Sequence, residues 1–342
     1  MKIKRMIQTI DTHTVGMPTR TVVSGLPFIP GNTMSEKMLF MKENMDWVRT
    51  LLLREPRGSN IMSGAILTNP CDPRADIGLL FMEGSWMPMC GHDTIGACTA
   101  LVNTGMVKTT EPYTTLRIDT AAGLVEVKIL VEDGEAKQVS FVNVPSFVLL
   151  QGATIETDEF GTLTLDVAYG GNFYAILPAA DVGLTIDLKH YDELVRVGLL
   201  LRDAINQQLT VQHPEKPFIN EVNHVEFIGP AENPGNYNRN VVICLPGFCG
   251  RSPCGTGTSA RTAELYRNKE IGINEPFRHE SMLGAHFTAK VVEETSVGGL
   301  PAVIPEISGR AYMMGMSTFM LEPDDPFSAG FTFMQQSEEQ NT

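Results

Sequence analysis

One short stretch occurs twice in the chain, and it constrains the fold more than any other feature of the sequence. Met89-Cys90-Gly91-His92-Asp93-Thr94-Ile95-Gly96-Ala97-Cys98-Thr99-Ala100-Leu101 aligns without gaps on Pro253-Cys254-Gly255-Thr256-Gly257-Thr258-Ser259-Ala260-Arg261-Thr262-Ala263-Glu264-Leu265. Cys, Gly, Thr and Leu coincide, and the copies lie 164 residues apart, close to half of the 342-residue chain. Each copy reads as a Cys-Gly turn, a threonine and then a helix. That layout implies two similar halves, each presenting one cysteine at a helix N-terminus.

A helix N-terminus carries unsatisfied N–H groups and the positive end of the helix dipole. A thiol placed there is expected to ionise below its usual value of about 8.5, and the same N–H groups can hold a carboxylate. Two such termini facing each other would grip one carboxylate and set a sulfur on each face of its α-carbon. Stereo-inversion needs that geometry: a base removes the weakly acidic α-hydrogen while an acid delivers a proton to the opposite face. A single Cys-Gly pair more often reflects packing; its repetition in matching contexts points to chemistry. Cys71, Cys98, Cys244 and Cys249 have no such context, and Cys98 falls inside a helical pattern and reads as core.

Composition narrows the partners. The net charge of -14 works against nucleic acid or an anionic membrane surface as a partner. No stretch approaches the roughly 18 apolar residues of a membrane span, and the basic start MKIKRMIQTIDTH lacks the apolar core of a signal peptide. Six cysteines are too few for a disulfide scaffold, so a cytoplasmic protein with free thiols is expected. No lysine sits in a recognisable pyridoxal phosphate motif. A metal site drawing on Cys90, His92, Cys244, Cys249 and Cys254 stays open at the loose end of zinc-ligand spacing, although a second matching cysteine pair is missing.

Val-, Ile- and Phe-rich runs predict strands over 21–25, 77–82, 124–131, 241–245 and 287–292. Helical periodicity covers 35–53, 94–103, 188–209 and 259–267. The mix predicts an α/β (α+β) chain. Pro145 marks a crossing between halves, a second crossing falls near 298–305, and the polar tail over 336–342 is expected to be disordered.

The two cysteine segments, Met89-Cys90-Gly91-His92 and Arg251-Ser252-Pro253-Cys254-Gly255-Thr256-Gly257-Thr258, resemble the catalytic motifs of the proline racemase family. That family includes proline racemases, 4-hydroxyproline 2-epimerases and trans-3-hydroxyproline dehydratases. The resemblance extends over nearly the whole chain. It takes in Asp11-Thr12-His13-Thr14, Glu55-Pro56-Arg57-Gly58, Asn143-Val144-Pro145-Ser146-Phe147 and Tyr169-Gly170-Gly171-Asn172-Phe173, then Gly309-Arg310-Ala311-Tyr312 and Asp324-Asp325-Pro326-Phe327. It implies a diaminopimelate-epimerase-like fold of two pseudo-symmetric domains, each a sheet wrapped round a central helix. The first domain would comprise 1–147 plus about 305–335, the second about 148–304. It also implies Cys90 and Cys254 as the acid/base pair, substrate carboxylate binding at Gly91, His92, Gly255 and Thr256, no cofactor, and a homodimer. The dehydratase branch typically replaces one cysteine by threonine, so the intact pair favours inversion over elimination.

Ser59, where proline racemases often carry histidine, and His224 resemble the hydroxyproline epimerases. A histidine could hydrogen-bond a ring hydroxyl; the plainer alternative is a satisfied core or surface histidine. Gly250 departs from the family, which usually has Asp there to hold the substrate ammonium. Its loss leaves open a catalytically dead binding protein. Asp93, unusual at its position, would either supply the missing carboxylate or simply cap its helix.

Overall fold

The computed structural model describes residues 5–245 and 247–332; the expected disordered tail lies outside the described residues. The first half of the chain forms β1 (Arg5–Thr14), β2 (Met17–Ser24), α1 (Met34–Asn44), α2 (Trp47–Leu53), β3 (Ser63–Thr68), β4 (Ile77–Met82), β5 (Trp86–Met87), α3 (Gly91–Asn103), β6 (Tyr113–Asp119), β7 (Leu124–Glu132) and β8 (Glu135–Val142). It continues with β9 (Phe147–Thr157), β10 (Gly161–Tyr169), β11 (Phe173–Pro178), α4 (Tyr191–Gln208), β12 (Val222–Gly229), β13 (Asn238–Cys244), β14 (Phe248–Cys249), α5 (Gly255–Arg267), β15 (Phe277–Ser281), β16 (His286–Val297), β17 (Leu300–Gly309) and β18 (Ala311–Leu321).

The pairings form two runs of the same design. In one, β18, β1, β2, β3, β4, β6, β7 and β8 lie side by side, parallel only at β2–β3 and β4–β6. In the other, β9, β10, β11, β12, β13, β15, β16 and β17 do the same, parallel only at β11–β12 and β13–β15. The antiparallel pairing of β8 with β17 joins the runs, and the last long strand, β18, returns to β1. Each sheet curls round one helix. β1, β2, β3, β8 and β18 pack on α3; β9, β10, β11, β16 and β17 pack on α5. This is the mixed α/β fold of two related halves that the repeat implied.

Both central helices are buried on every side, from Gly91 to Val102 and from Gly255 to Leu265. Surrounded helices are normally apolar all round, yet these carry many threonines and serines. Their hydroxyls turn back onto the helix: Thr94 donates to Cys90 O, Thr99 to Ile95 O, Thr262 to Thr258 O and Ser259 to Gly255 O. Folding back in this way satisfies polar groups that burial would otherwise leave costly.

The predicted elements are present with shifted ends. The helix expected over 35–53 is two helices, α1 and α2. It breaks near Asp46, whose carboxylate accepts from Arg49 and from the Trp86 indole. α3 and α5 begin three or four residues earlier than their periodicity indicated, directly after the cysteines.

Candidate active site

The helices α3 and α5 meet end to end. A Cβ placed on Gly91 would lie 2.5 Å from the Gly255 Cα, and one placed on Gly255 would lie 2.6 Å from the Gly91 Cα. Only glycine allows this approach. Cys90 and Cys254 are the N-cap residues of the two helices, and both line one small cavity between them.

That cavity also receives His92, His224, Gly250 and Thr256. Sequence reasoning had not singled out Glu83 or Tyr174, which share the lining with Asn172 of the Tyr169–Phe173 motif and with Cys244. The space measures about 20 Å³, room for roughly one water molecule, so side chains must shift to admit anything larger. A larger groove of about 840 Å³ runs past Phe147, Arg267 and Ile271. It contains none of the expected residues, and the converging thiols and titratable groups outweigh size in locating the site.

The two cysteines differ in detail. Cys90 has extended backbone and makes no side-chain cap bond. Its Sγ lies 3.4 Å from His92 Nδ1. The other imidazole nitrogen, Nε2, is 2.7 Å from Ser63 Oγ, which donates to Asp93 Oδ1 at 2.6 Å. A serine donating to the carboxylate accepts from Nε2–H, which leaves Nδ1 as the lone pair facing the thiol. Thr19 Oγ1 also donates to Asp93 Oδ1, at 2.7 Å. Asp93 Oδ1 is thus held by β2 and β3, while Oδ2 is buried without a hydrogen-bond partner. Asp93 is not among the residues that line the cavity, although its carboxylate lies close to Cys90 and His92. Burial opposes an imidazolium at His92, but Asp93 outweighs it and holds the histidine above its ordinary value. Asp93 is held low in return, against its own burial, by His92, Ser63 and Thr19.

Cys254 adopts φ 64 and ψ 115, a sparsely populated conformation for a residue with a side chain. Its Sγ accepts from the Gly257 N–H at 3.4 Å and lies 3.3 Å from the Tyr174 hydroxyl. Tyr174 also bonds Thr256 Oγ1 at 2.5 Å.

Neither thiol is lowered as its helix position suggested. Burial pushes Cys90 well up, with Asp93 and Glu83 adding to it. Burial likewise raises Cys254 to about 11, despite hydrogen bonds from Tyr174, Gly257 and Thr256. The dipole was legible in the sequence; the desolvation that outweighs it was not.

Elsewhere in the site, burial drives His224 down to about 3, with Arg202 adding to it, so its imidazole is neutral. Its Nδ1 is buried with no hydrogen-bond partner. Burial also raises Glu83 to about 7; its Oε2 is 4.0 Å from His224 Nε2. Ser59 does not reach this cavity: it lines a neighbouring one with Arg49 and Arg54, of which Glu83 forms the shared wall.

Among the described residues, two sets place ligand atoms close enough for a metal ion: Glu83, His224 and Cys244, and Cys90, His92 and Asp93. Cys244, Cys249 and Cys254 form no such set among the described residues.

The remaining motifs act as supports. Thr14 Oγ1 donates to His92 O, and the Asn172 amide donates to Met89 O, stitching the second half to the turn before Cys90. Asn143 donates to Gly170 O and Ser259 Oγ, and Arg57 pairs with Asp325.

A family model described as "Proline racemase" matches residues 9–332. A "4-hydroxyproline 2-epimerase" of Streptosporangium roseum is 48% identical over 97% of this chain and 99% of its own. A "Proline racemase" of Acetoanaerobium sticklandii is 44% identical over 97% of this chain and 100% of its own. The crystal structure of a hydroxyproline epimerase from Agrobacterium vitis, with bound trans-4-hydroxy-L-proline, superposes with a TM-score of 0.93 at 36% identity, covering 97% of this chain and 96% of its own.

Proposed function

Since the chain belongs to the proline racemase family, and so is a racemase or epimerase, we propose that it inverts the α-carbon of 4-hydroxyproline by two opposed thiols, Cys90 and Cys254. The observation that carries this reading is the end-to-end meeting of α3 and α5, each capped by one of the two cysteines lining a single cavity.

The substrate carboxylate binds the free N–H groups where the helices abut, at Gly91, His92, Gly255 and Thr256. His92 Nδ1 takes the Cys90 thiol proton and leaves a thiolate. The thiolate removes the α-hydrogen, and the C–H electron pair passes into the enolate-like carboxylate, which the helix termini stabilise. Cys254 S–H then protonates the opposite face. Cys90 finishes as thiol and Cys254 as thiolate, ready for the reverse direction. Both proton transfers use the chain's own groups, without a cofactor.

His224 supports the hydroxylated substrate. It is neutral, faces the cavity and carries a buried nitrogen without a partner, which a ring hydroxyl would satisfy. Proline is the second reading, favoured by the apolar surface that Met17, Met87 and Val242 contribute to the same cavity. The six free cysteines suit a cytoplasmic enzyme. We place its first domain at about 5–147 plus 310–332 and its second at about 148–309, because β17 stays with β16 and the return to β1 begins at β18, a few residues beyond the crossing near 298–305 expected from the sequence.

Polarimetry with product analysis on L-proline, trans-4-hydroxy-L-proline, cis-4-hydroxy-D-proline and trans-3-hydroxy-L-proline tests this. Interconversion of the two 4-hydroxyprolines ahead of proline is expected. Loss of water from the 3-hydroxy compound without any inversion would overturn it. Cys90→Ser and Cys254→Ser should each lose inversion by about 10²- to 10⁴-fold.

A further inference from the structure

A proline-type amino acid enters as a zwitterion, and its two charges need different partners. The helix ends answer the carboxylate. The ammonium requires an anion in a space closed to water, because a cation taken from water without one is strongly disfavoured.

Among the described residues lining the cavity, one carboxylate is present, Glu83. It follows β4 in the turn to β5, 8% exposed, beside the neutral His224. Asp93 is placed less well: it is 1% exposed and outside the lining, its Oδ1 accepts from Thr19 and Ser63, and its charge is already answered by His92, although its Oδ2 has no hydrogen-bond partner. Gly250 lines the cavity without a side chain.

We propose that Glu83 is the substrate-binding residue that holds the ammonium, so the site selects amino acids with a free, protonated amine. The proposal rests on the reading of this cavity as an amino-acid inversion site. The raised pKa of Glu83 fits it: burial outweighs the pull of His92 and keeps the acid partly protonated, and it ionises fully when a cation arrives beside it.

Glu83→Gln is the test, with pyrrole-2-carboxylate as a second probe, since that planar ligand keeps the carboxylate and has no ammonium. The variant should raise KM for the amino acid by about 10- to 100-fold, the range of a charge-assisted hydrogen bond. kcat should fall far less, since the contact exists in ground and transition states alike. Calorimetric affinity for pyrrole-2-carboxylate should stay within about threefold of the wild type, which also shows the fold intact. Glu83→Gln combined with Gly250→Asp should recover part of the loss. A Cβ at Gly250 would meet nothing nearer than Val242 O at 3.4 Å, so the position has room for a relocated carboxylate.

An unchanged KM in Glu83→Gln overturns the proposal and leaves the inversion reading standing. Equal loss of amino-acid and pyrrole-2-carboxylate binding also overturns it, assigning Glu83 a structural role. A wild-type protein that turns over none of the four amino acids defeats the inversion reading itself, and the proposal with it.

Discussion

Gly91 and Gly255 touch backbone to backbone: a methyl group on either would sit within 2.5 or 2.6 Å of the other's Cα. Ordinary packing never brings a Cβ that near. The atom in the way is main chain, so no rotamer change relieves it. Phe141 closes the contact, its Cζ 3.0 and 3.2 Å from the two ideal Cβ positions. The spacing of the thiols is thus set by the absence of two side chains.

Gly255→Ala should therefore separate the helix ends. Misplacement by about 1 Å at a reacting centre can cost about 10²-fold in rate, and overpacking of a core about 1–3 kcal/mol. Steady-state kinetics beside a thermal melt checks both. A variant of wild-type activity would show that the abutment does not set the distance between the sulfurs.

Asp93→Asn should act through His92. An asparagine carbonyl can still accept from Thr19 and Ser63, so the fold is expected to survive. The negative charge that holds His92 up is lost, so its pKa falls. The acidic limb of the pH profile of kcat/KM should move to lower pH, with kcat down by about tenfold or more and KM little changed. The unmoved KM separates this variant from Glu83→Gln. A pH profile superposing on the wild type would remove Asp93 from the relay.

Glu226 gives the fold a pH dependence. It is fully buried, and burial raises it to about 8, although Asn240 and Arg261 pull the other way. A carboxyl raised in the fold holds its proton longer than in the unfolded chain. Its favourable contribution is complete below the unfolded value, near about 4.3, and is lost progressively as pH rises to about 8. Melting temperature should drop between pH 5 and pH 8.5 for this reason, and Glu226→Gln should flatten the slope. Identical slopes for variant and wild type would assign the dependence elsewhere.

The cysteine pair could be read from the chain because repetition is a one-dimensional signal and the helix dipole follows from local order. The ends of α3 and α5 could not. Gly91 and Gly255 look like helix breakers until a second helix end is seen pressed against each. Asp46 breaks the first long helix through Arg49 and Trp86, and the indole partner is 40 positions away in sequence. Glu83 escaped notice because a lone acid in a turn reads as solvent-facing; only the folded chain puts it against His224. Asp93 stood out by its position, but its partners, Ser63 and Thr19, lie on strands that sequence spacing does not connect to it.

The backbone at Cys254 has one more implication. With φ 64 and ψ 115, the position would be more comfortable as glycine, by something like 1–3 kcal/mol. Any procedure that ranks substitutions by folding ease, in a laboratory screen or in automated redesign, would therefore favour writing the proposed acid/base thiol out of the protein. Selection for robustness and selection for turnover pull in opposite directions at this one residue, and keeping the cysteine requires assaying both.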